Sequence, residues 1–130
     1  MFVDSSALVA ILTSETDAET LLSRLEGSAV RVTSPWVVHE TVLGICRKTS
    51  HSVEEATALT VEFLARSGVI LRDIPADLHM VTLPTHARYG KGMGHPAQLN
   101  MGDCFSYAMA KTLGQPLLYK GNDFAQTDLA

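Results

Sequence analysis

Four carboxylates stand where they could do chemistry. Asp4 closes an apolar stretch, Met1–Asp4. Glu40 lies inside the segment Pro35-Trp36-Val37-Val38-His39-Glu40-Thr41-Val42-Leu43. Asp103 opens a helix-like run in Asn100-Met101-Gly102-Asp103-Cys104-Phe105. Asp123 follows the last apolar stretch, in Tyr119-Lys120-Gly121-Asn122-Asp123-Phe124. Each has a local alternative. Asp4 before Ser5-Ser6 can cap a helix, and Asp103 in a first turn complements the helix dipole. Glu40 can be a solvated helix residue, and Asp123 a turn residue. Joint placement separates the readings: two acids at strand ends, one at a helix start, one in an apolar helix. Hard divalent cations such as Mg²⁺ take oxygen ligands. They also lower the pKa of bound water and steady charge during phosphoryl transfer. Without a cation, each carboxylate pair at 4 Å would repel by roughly 4 kcal/mol at an effective dielectric near 20.

Other constellations do not form. Gly90-Lys91-Gly92-Met93-Gly94 lacks the Gly-Lys-Ser/Thr of a phosphate loop and follows a helical run rather than a strand. There is no Gly-x-Ser-x-Gly elbow. His39, His51, His79, His86 and His95 have no zinc-like spacing with Cys46 or Cys104. Trp36 reads as core rather than as a stacking platform. Arg88 and Lys91, flanking the glycine-rich loop, are candidates for RNA phosphate contact, with ordinary solvated charge as the alternative. Ser5 and Ser6 are candidates to support the site, or simply to cap a helix.

The elements that must position the acids alternate between strand and helix. Strands are expected at Met1–Asp4, Ala29–Thr33, Val69–Leu71 and Pro116–Tyr119. Helices are expected over Ser5–Leu12, Glu15–Leu25, from Ser34-Pro35 to about Lys48, from Ser52 to Arg66, from Pro75 to about Tyr89, and over Gly102–Leu113. Ser34-Pro35 is a capping residue followed by a proline in the first turn. Ser52-Val53-Glu54-Glu55 has capping-box spacing. Short apolar strands separated by helices predict a parallel α/β sheet with covered faces and right-handed crossovers. Ligands bind such sheets beyond the carboxyl ends of the strands, at the switch point. If the first and last strands are neighbours, Asp4 and Asp123 share that edge.

The 130 residues, without repeat or linker, make a single domain over 1–130. Only 18% are charged, against about 25% in typical domains, and mean hydropathy is +0.14. That balance points to an apolar surface covered by a partner. No apolar run is long enough for a membrane span, and no secretory leader is visible. Two cysteines make no disulfide framework, so the cytoplasm is the expected compartment. Net charge is −4. Without the four candidate acids, the 10 remaining carboxylates equal the 10 Lys and Arg.

Phe2-Val3-Asp4-Ser5-Ser6-Ala7-Leu8, then Glu40 after a Ser-Pro helix start, then Gly102-Asp103-Cys104 and Gly121-Asn122-Asp123-Phe124, resemble the PIN-domain ribonucleases. Within them the chain is most similar to the VapC-type toxins of toxin–antitoxin pairs. The resemblance implies a three-layer α/β/α fold with a short, mostly parallel sheet of four to five strands. It also implies a Mg²⁺- or Mn²⁺-dependent endoribonuclease that is homodimeric and inhibited by a cognate antitoxin. Asp4, Glu40 and Asp103 match the first three acidic positions. The fourth role is carried to Asp123, with Asn122 as a supporting ligand, because some members have an acid where Asn122 stands. Helices 5–25 and 52–67 are the expected antitoxin groove. Two rival readings remain at this point. One is a non-catalytic PIN-like protein-binding module. The other is an aspartyl-phosphate phosphatase or receiver-like domain, with Asp4 as nucleophile and Lys120 beside it.

Overall fold

The computed structural model describes residues 1–130. Its elements run β1 (Phe2–Val3), α1 (Ser5–Leu12), α2 (Ala18–Glu26), β2 (Val32–Thr33), α3 (Pro35–Lys48), α4 (Val53–Arg66), β3 (Ile70–Leu71), α5 (His79–Tyr89), α6 (Met101–Leu113) and β4 (Leu117–Leu118), with a 3-10 turn at Phe124–Gln126. The four strands form one parallel sheet in the order β3-β2-β1-β4. Phe2 stands opposite Val32 on one side and Leu117 on the other. The chain therefore leaves β1 for β2 in one direction and returns to β1's other side at β4. The switch point lies between β1 and β4, the position at which such sheets open a crevice.

Helices cover the sheet as a three-layer α/β/α sandwich. Helices α1 to α4 pack against one another, α5 packs on α6, and α6 lies against β1 and β4. Phe2, Val3, Leu8, Leu99, Met109, Leu118 and Phe124 fill the centre and are almost wholly buried. Cys46 and Cys104 are free thiols, as their number suggests. No helix is long and apolar enough to cross a membrane.

Three boundaries differ from the sequence expectation. The second helix starts at Ala18 rather than Glu15, because Ser14 takes a left-handed conformation (φ 54°) and turns the chain. The helix expected from Pro75 becomes regular only at His79. Its first turn is closed by tight bonds from Leu78 N–H to the Pro75 carbonyl and from Met80 N–H to the Asp77 carbonyl. The strands are shorter than expected, two residues each. Strand β3 also departs from the covered-sheet expectation. It pairs only with β2, and Ile70 is 64% exposed. The expected capping boxes and stops hold at Ser52/Glu55 and at the left-handed Gly114.

Helices α1 and α3 meet at a glycine. A Cβ placed on Gly44 would lie 2.7 Å from Val9 Cγ2. Valine is stiff at χ1, so the helices would have to separate. Gly44→Ala should therefore destabilise the domain by roughly 1–3 kcal/mol in denaturant unfolding. Val9→Ala in the same chain should recover part of that loss. Purely additive effects of the two changes would show that this contact does not set the helix spacing.

Candidate active site

Asp4 follows β1 directly and is only 2% exposed. Its Oδ2 accepts the Ser6 backbone N–H at 2.9 Å and the Ser6 hydroxyl at 2.6 Å. Its Oδ1 accepts the Ser106 hydroxyl at 2.6 Å. Asp4 is thus the α1 cap and also a buried carboxylate anchored to α6. Three hydrogen bonds satisfy the buried carboxyl. Ser6 Oγ also accepts the Lys120 backbone N–H at 3.0 Å, which ties the end of β1 to the loop after β4.

Asp103 shows the same double role. Asn100 Oδ1 accepts the Asp103 N–H, and Asp103 Oδ2 accepts the Asn100 N–H, a reciprocal capping box at the start of α6. The box uses one carboxylate oxygen and fixes the rotamer. Desolvation pushes the Asp103 pKa up to about 7, helped by the charges of Asp4 and Asp123 and opposed by the Asn100 hydrogen bond.

Glu40 projects from the middle of α3. Its carboxylate lies so close to the first turn of α6 that a Cβ on Gly102 would come within 2.0 Å of Glu40 Oε2. Glycine at 102 is what admits the acid to the helix N-terminus, where negative charge is favoured. Desolvation raises its pKa to about 7, with the charges of Asp4 and Asp103 adding to the rise; Trp36 and Ser5 beside it pull the other way. Neither neighbour completes a well-aligned hydrogen bond to Glu40 Oε1, which is buried and unpartnered, as is Trp36 Nε1. Trp36 is half-buried and stacks face to face on Phe105, with centroids 4.6 Å apart.

All four predicted acids line one cavity of about 710 Å³, together with Ser5 and Ser6. Asp123 reaches it from the exposed turn after β4, while the neighbouring Asn122 is exposed and outside the lining. As the side chains stand, no three acids, histidines or cysteines close around a single point. The donor set still suits a hard cation: it is all oxygen, it is anionic, and it includes an orphaned buried carboxylate oxygen at Glu40.

The cations expected to help stand elsewhere. Arg88 lies over the Tyr89 ring, 4.6 Å from its centroid, beside a separate cavity. Lys91 borders an apolar cavity under α5. The basic residues on the acidic cavity are Arg47, Lys48 and Lys120. Lys120, considered above as a partner of Asp4, instead ion-pairs with Glu15, and with Asp17 at 3.1 Å. Two signals for the missed residues were present. Arg47 and Lys48 lie seven and eight residues beyond Glu40, on its helical face, and Ser106 lies three beyond Asp103. Nothing local marks Glu15.

Comparison with known proteins places the fold in a family. A PIN domain family model matches residues 1–129. A VapC ribonuclease of Rhizobium meliloti is 41% identical, covering 98% of this chain and 98% of the relative. A ribonuclease VapC of Mycolicibacterium smegmatis is 44% identical over 100% of this chain and 98% of its own. Among solved structures, Mycobacterium tuberculosis VapC20, described as a sarcin-ricin loop cleaving toxin, matches with a TM-score of 0.74. The match covers 95% of this chain and 92% of that one, at 21% identity, and it shows a shared fold.

The raised carboxyl groups fix a pH dependence. Glu40 and Asp103 rise from ordinary values of 4.5 and 3.8 to about 7 on folding. Between those limits the folded protein holds protons that the unfolded chain has released. Their contribution to stability is full below the ordinary values and is lost as pH rises through about 7. In chelator, Glu40→Gln and Asp103→Asn should raise the melting temperature of the metal-free protein at pH 8. At pH 5 the gain should shrink, because both acids are already protonated. Equal shifts at both pH values would mean that these carboxyls are not crowded in the fold.

Proposed function

The chain belongs to the PIN domain family, and from that premise we propose that it is a metal-dependent endoribonuclease, the toxin of a cytoplasmic toxin–antitoxin pair, cutting single-stranded RNA or tRNA. One observation carries this reading. Four acids from four separate segments line one cavity, and one of them keeps a buried carboxylate oxygen without a partner. Capping accounts for Asp4 and Asp103 one at a time, but not for the convergence of all four acids on one cavity.

Asp4 and Asp103 would hold Mg²⁺ or Mn²⁺ directly, with Glu40 and Asp123 completing the acidic set. When bound, such an ion neutralises phosphate charge and makes water more acidic. The chain's own residues supply position and proton handling. The two serines on Asp4 and the capping box on Asp103 lock both carboxylates in place, so that little reorganisation is needed on binding. Glu40, on the wall of the cavity, would accept a proton from the attacking water. In-line attack of water on phosphorus forms one P–O bond and breaks another; the departing ribose oxygen takes a proton from solvent, and two RNA ends are left.

Purified protein should cut RNA with Mg²⁺ or Mn²⁺ and stop in excess EDTA. Asp4→Asn and Asp103→Asn should each lower kcat at least about a hundredfold, the scale of removing one electrostatic contact from the transition state. Undiminished cutting in EDTA would overturn the metal mechanism. RNA left intact under both metals would favour the non-catalytic module, and a trapped phosphoryl group on Asp4 the phosphatase.

Two partners belong to the same proposal. An apolar cavity of about 580 Å³ lies between α5 and the start of α6, walled by Leu83, Leu99, Met101 and Phe105. Leu83 and Met101 leave this face strongly exposed, and a second copy of the chain would cover it. The antitoxin would take the separate surface of α1, α2 and α4, where Val53, Leu59 and Val61 are exposed. Leu83→Glu should turn a dimer into a monomer by light scattering and leave capture of the co-expressed product of the adjacent reading frame intact. Leu59→Glu should do the reverse. A wild-type monomer at high micromolar concentration would count against the homodimer, and intact capture after charge changes on both α1–α2 and α4 against the groove.

A further inference from the structure

The rim of the acidic cavity carries an arrangement that catalysis by carboxylates does not use. Glu15 accepts ion pairs from two lysines at once, Lys48 at the end of α3 and Lys120 after β4. Asp17 adds a second carboxylate to Lys120. Glu15 comes from the turn between α1 and α2, where Ser14 adopts a left-handed conformation at φ 54° that non-glycine residues rarely take. Strain of that kind persists only where the surroundings require it. Arg47, the third cation on the cavity, is exposed and makes no ion pair.

Stability alone gives this cluster little reason to exist. Ion pairs with solvent access contribute about 0–1 kcal/mol each. Lys48 is half-exposed, and Lys120 one-third. Each ammonium has three N–H donors and gives only one or two to carboxylates. The others remain free at the wall of the cavity. Two lysines facing two carboxylates make a locally neutral patch that contains cations already fixed in place. A polyanion entering a cavity of four acids needs such cations to either side of the reacting centre. Arg47 and Lys48 lie seven and eight residues beyond Glu40 on α3, roughly 10–12 Å along the helix axis. That separation suits a phosphate next to the scissile one rather than the scissile phosphate itself.

We propose that Arg47, Lys48 and Lys120 form the binding site for RNA phosphates flanking the scissile bond, with Glu15 as an internal counter-ion that those phosphates displace. The inference rests on the endoribonuclease reading and adds to it the residues that hold the substrate backbone. The site reads charge and not base, so it sets affinity and register along the strand rather than sequence.

The signs of the expected effects distinguish this from a structural tie. Binding of a fluorescent single-stranded RNA is measured in EDTA across a series of salt concentrations. Arg47→Gln, Lys48→Gln and Lys120→Gln should each weaken binding and reduce the slope of log K against log salt by about 0.7, the value for one lost single-strand phosphate contact. Glu15→Gln should do the opposite, tightening binding and steepening the slope, because two ammonium groups lose their counter-ion. With metal present, the three cation variants should raise KM and keep kcat. Arg66→Gln, whose partner is Glu62 on the exposed face of α4, serves as the control and should match wild type. Melting temperatures measured alongside separate folding losses from binding losses. If wild type cuts RNA while all four rim variants keep its salt slope, the clamp is wrong and the nuclease reading stands. If wild type neither binds nor cuts RNA, both fall.

Discussion

Pairing β1 beside β4 puts the carboxyl ends of two parallel strands side by side, and this forces like charges together. Asp4 follows one strand and Asp123 comes shortly after the other. Helix α6, packed on both strands, brings Asp103, and α3 brings Glu40. Carboxylates repel where water is partly excluded, by on the order of 4 kcal/mol for a pair 4 Å apart at an effective dielectric near 20. The structure answers this crowding in two ways. It gives the fully buried Asp4 three donors, and it lets Glu40 and Asp103 rise until they titrate near neutrality. In the proposed reading a cation would relieve the same repulsion and so add to the stability of the fold.

The devices that hold the acids are ordinary ones used twice. Asp4 is a helix cap and Asp103 is half of a capping box. Both local alternatives open at the level of sequence are therefore true, and both are compatible with a role in the cavity. A cap spends one face of a carboxylate on backbone N–H groups and fixes the rotamer. The other face is then presented in a single direction. Sites held this way need little reorganisation at the moment of reaction. Gly102 serves the same end by omission, since any side chain there would expel Glu40 from the turn that Asp103 caps.

What the sequence made legible was the order of elements and the four acids. Strand, helix, cap and stop signals act over a few residues, and Ser34-Pro35, Ser52/Glu55 and Gly114 behaved as their local chemistry dictates. Asp4 and Asp123 could be placed on one edge once β1 and β4 were taken as neighbours. The losses came where geometry depends on contacts distant in sequence. Ser106 meets Asp4 across 102 positions, and Lys120 meets Glu15 across 105. Arg88 and Lys91 were attractive because they flank a glycine-rich loop, yet that loop, closed by the Gly90–Leu99 bridge, lies beside other cavities. Strand β3 looked like a core strand by composition, and only its edge position explains why Ile70 and Leu71 face solvent.

Net charge also takes on a different meaning once the residues are located. Apart from the four candidate acids, carboxylates and cations are equal in number, which by itself suggests a surface indifferent to RNA. Location changes that conclusion. Lys48 and Lys120 are neutralised by Glu15 and Asp17 rather than by the site acids, and Arg47 is left free beside them. Tethering them to Glu15 keeps ammonium groups out of the carboxylate set while leaving them within reach of a polyanion. In the proposed reading, an acidic chain holds a hard cation and a nucleic-acid backbone at adjacent places, because its own ion pairs keep the two kinds of positive charge apart.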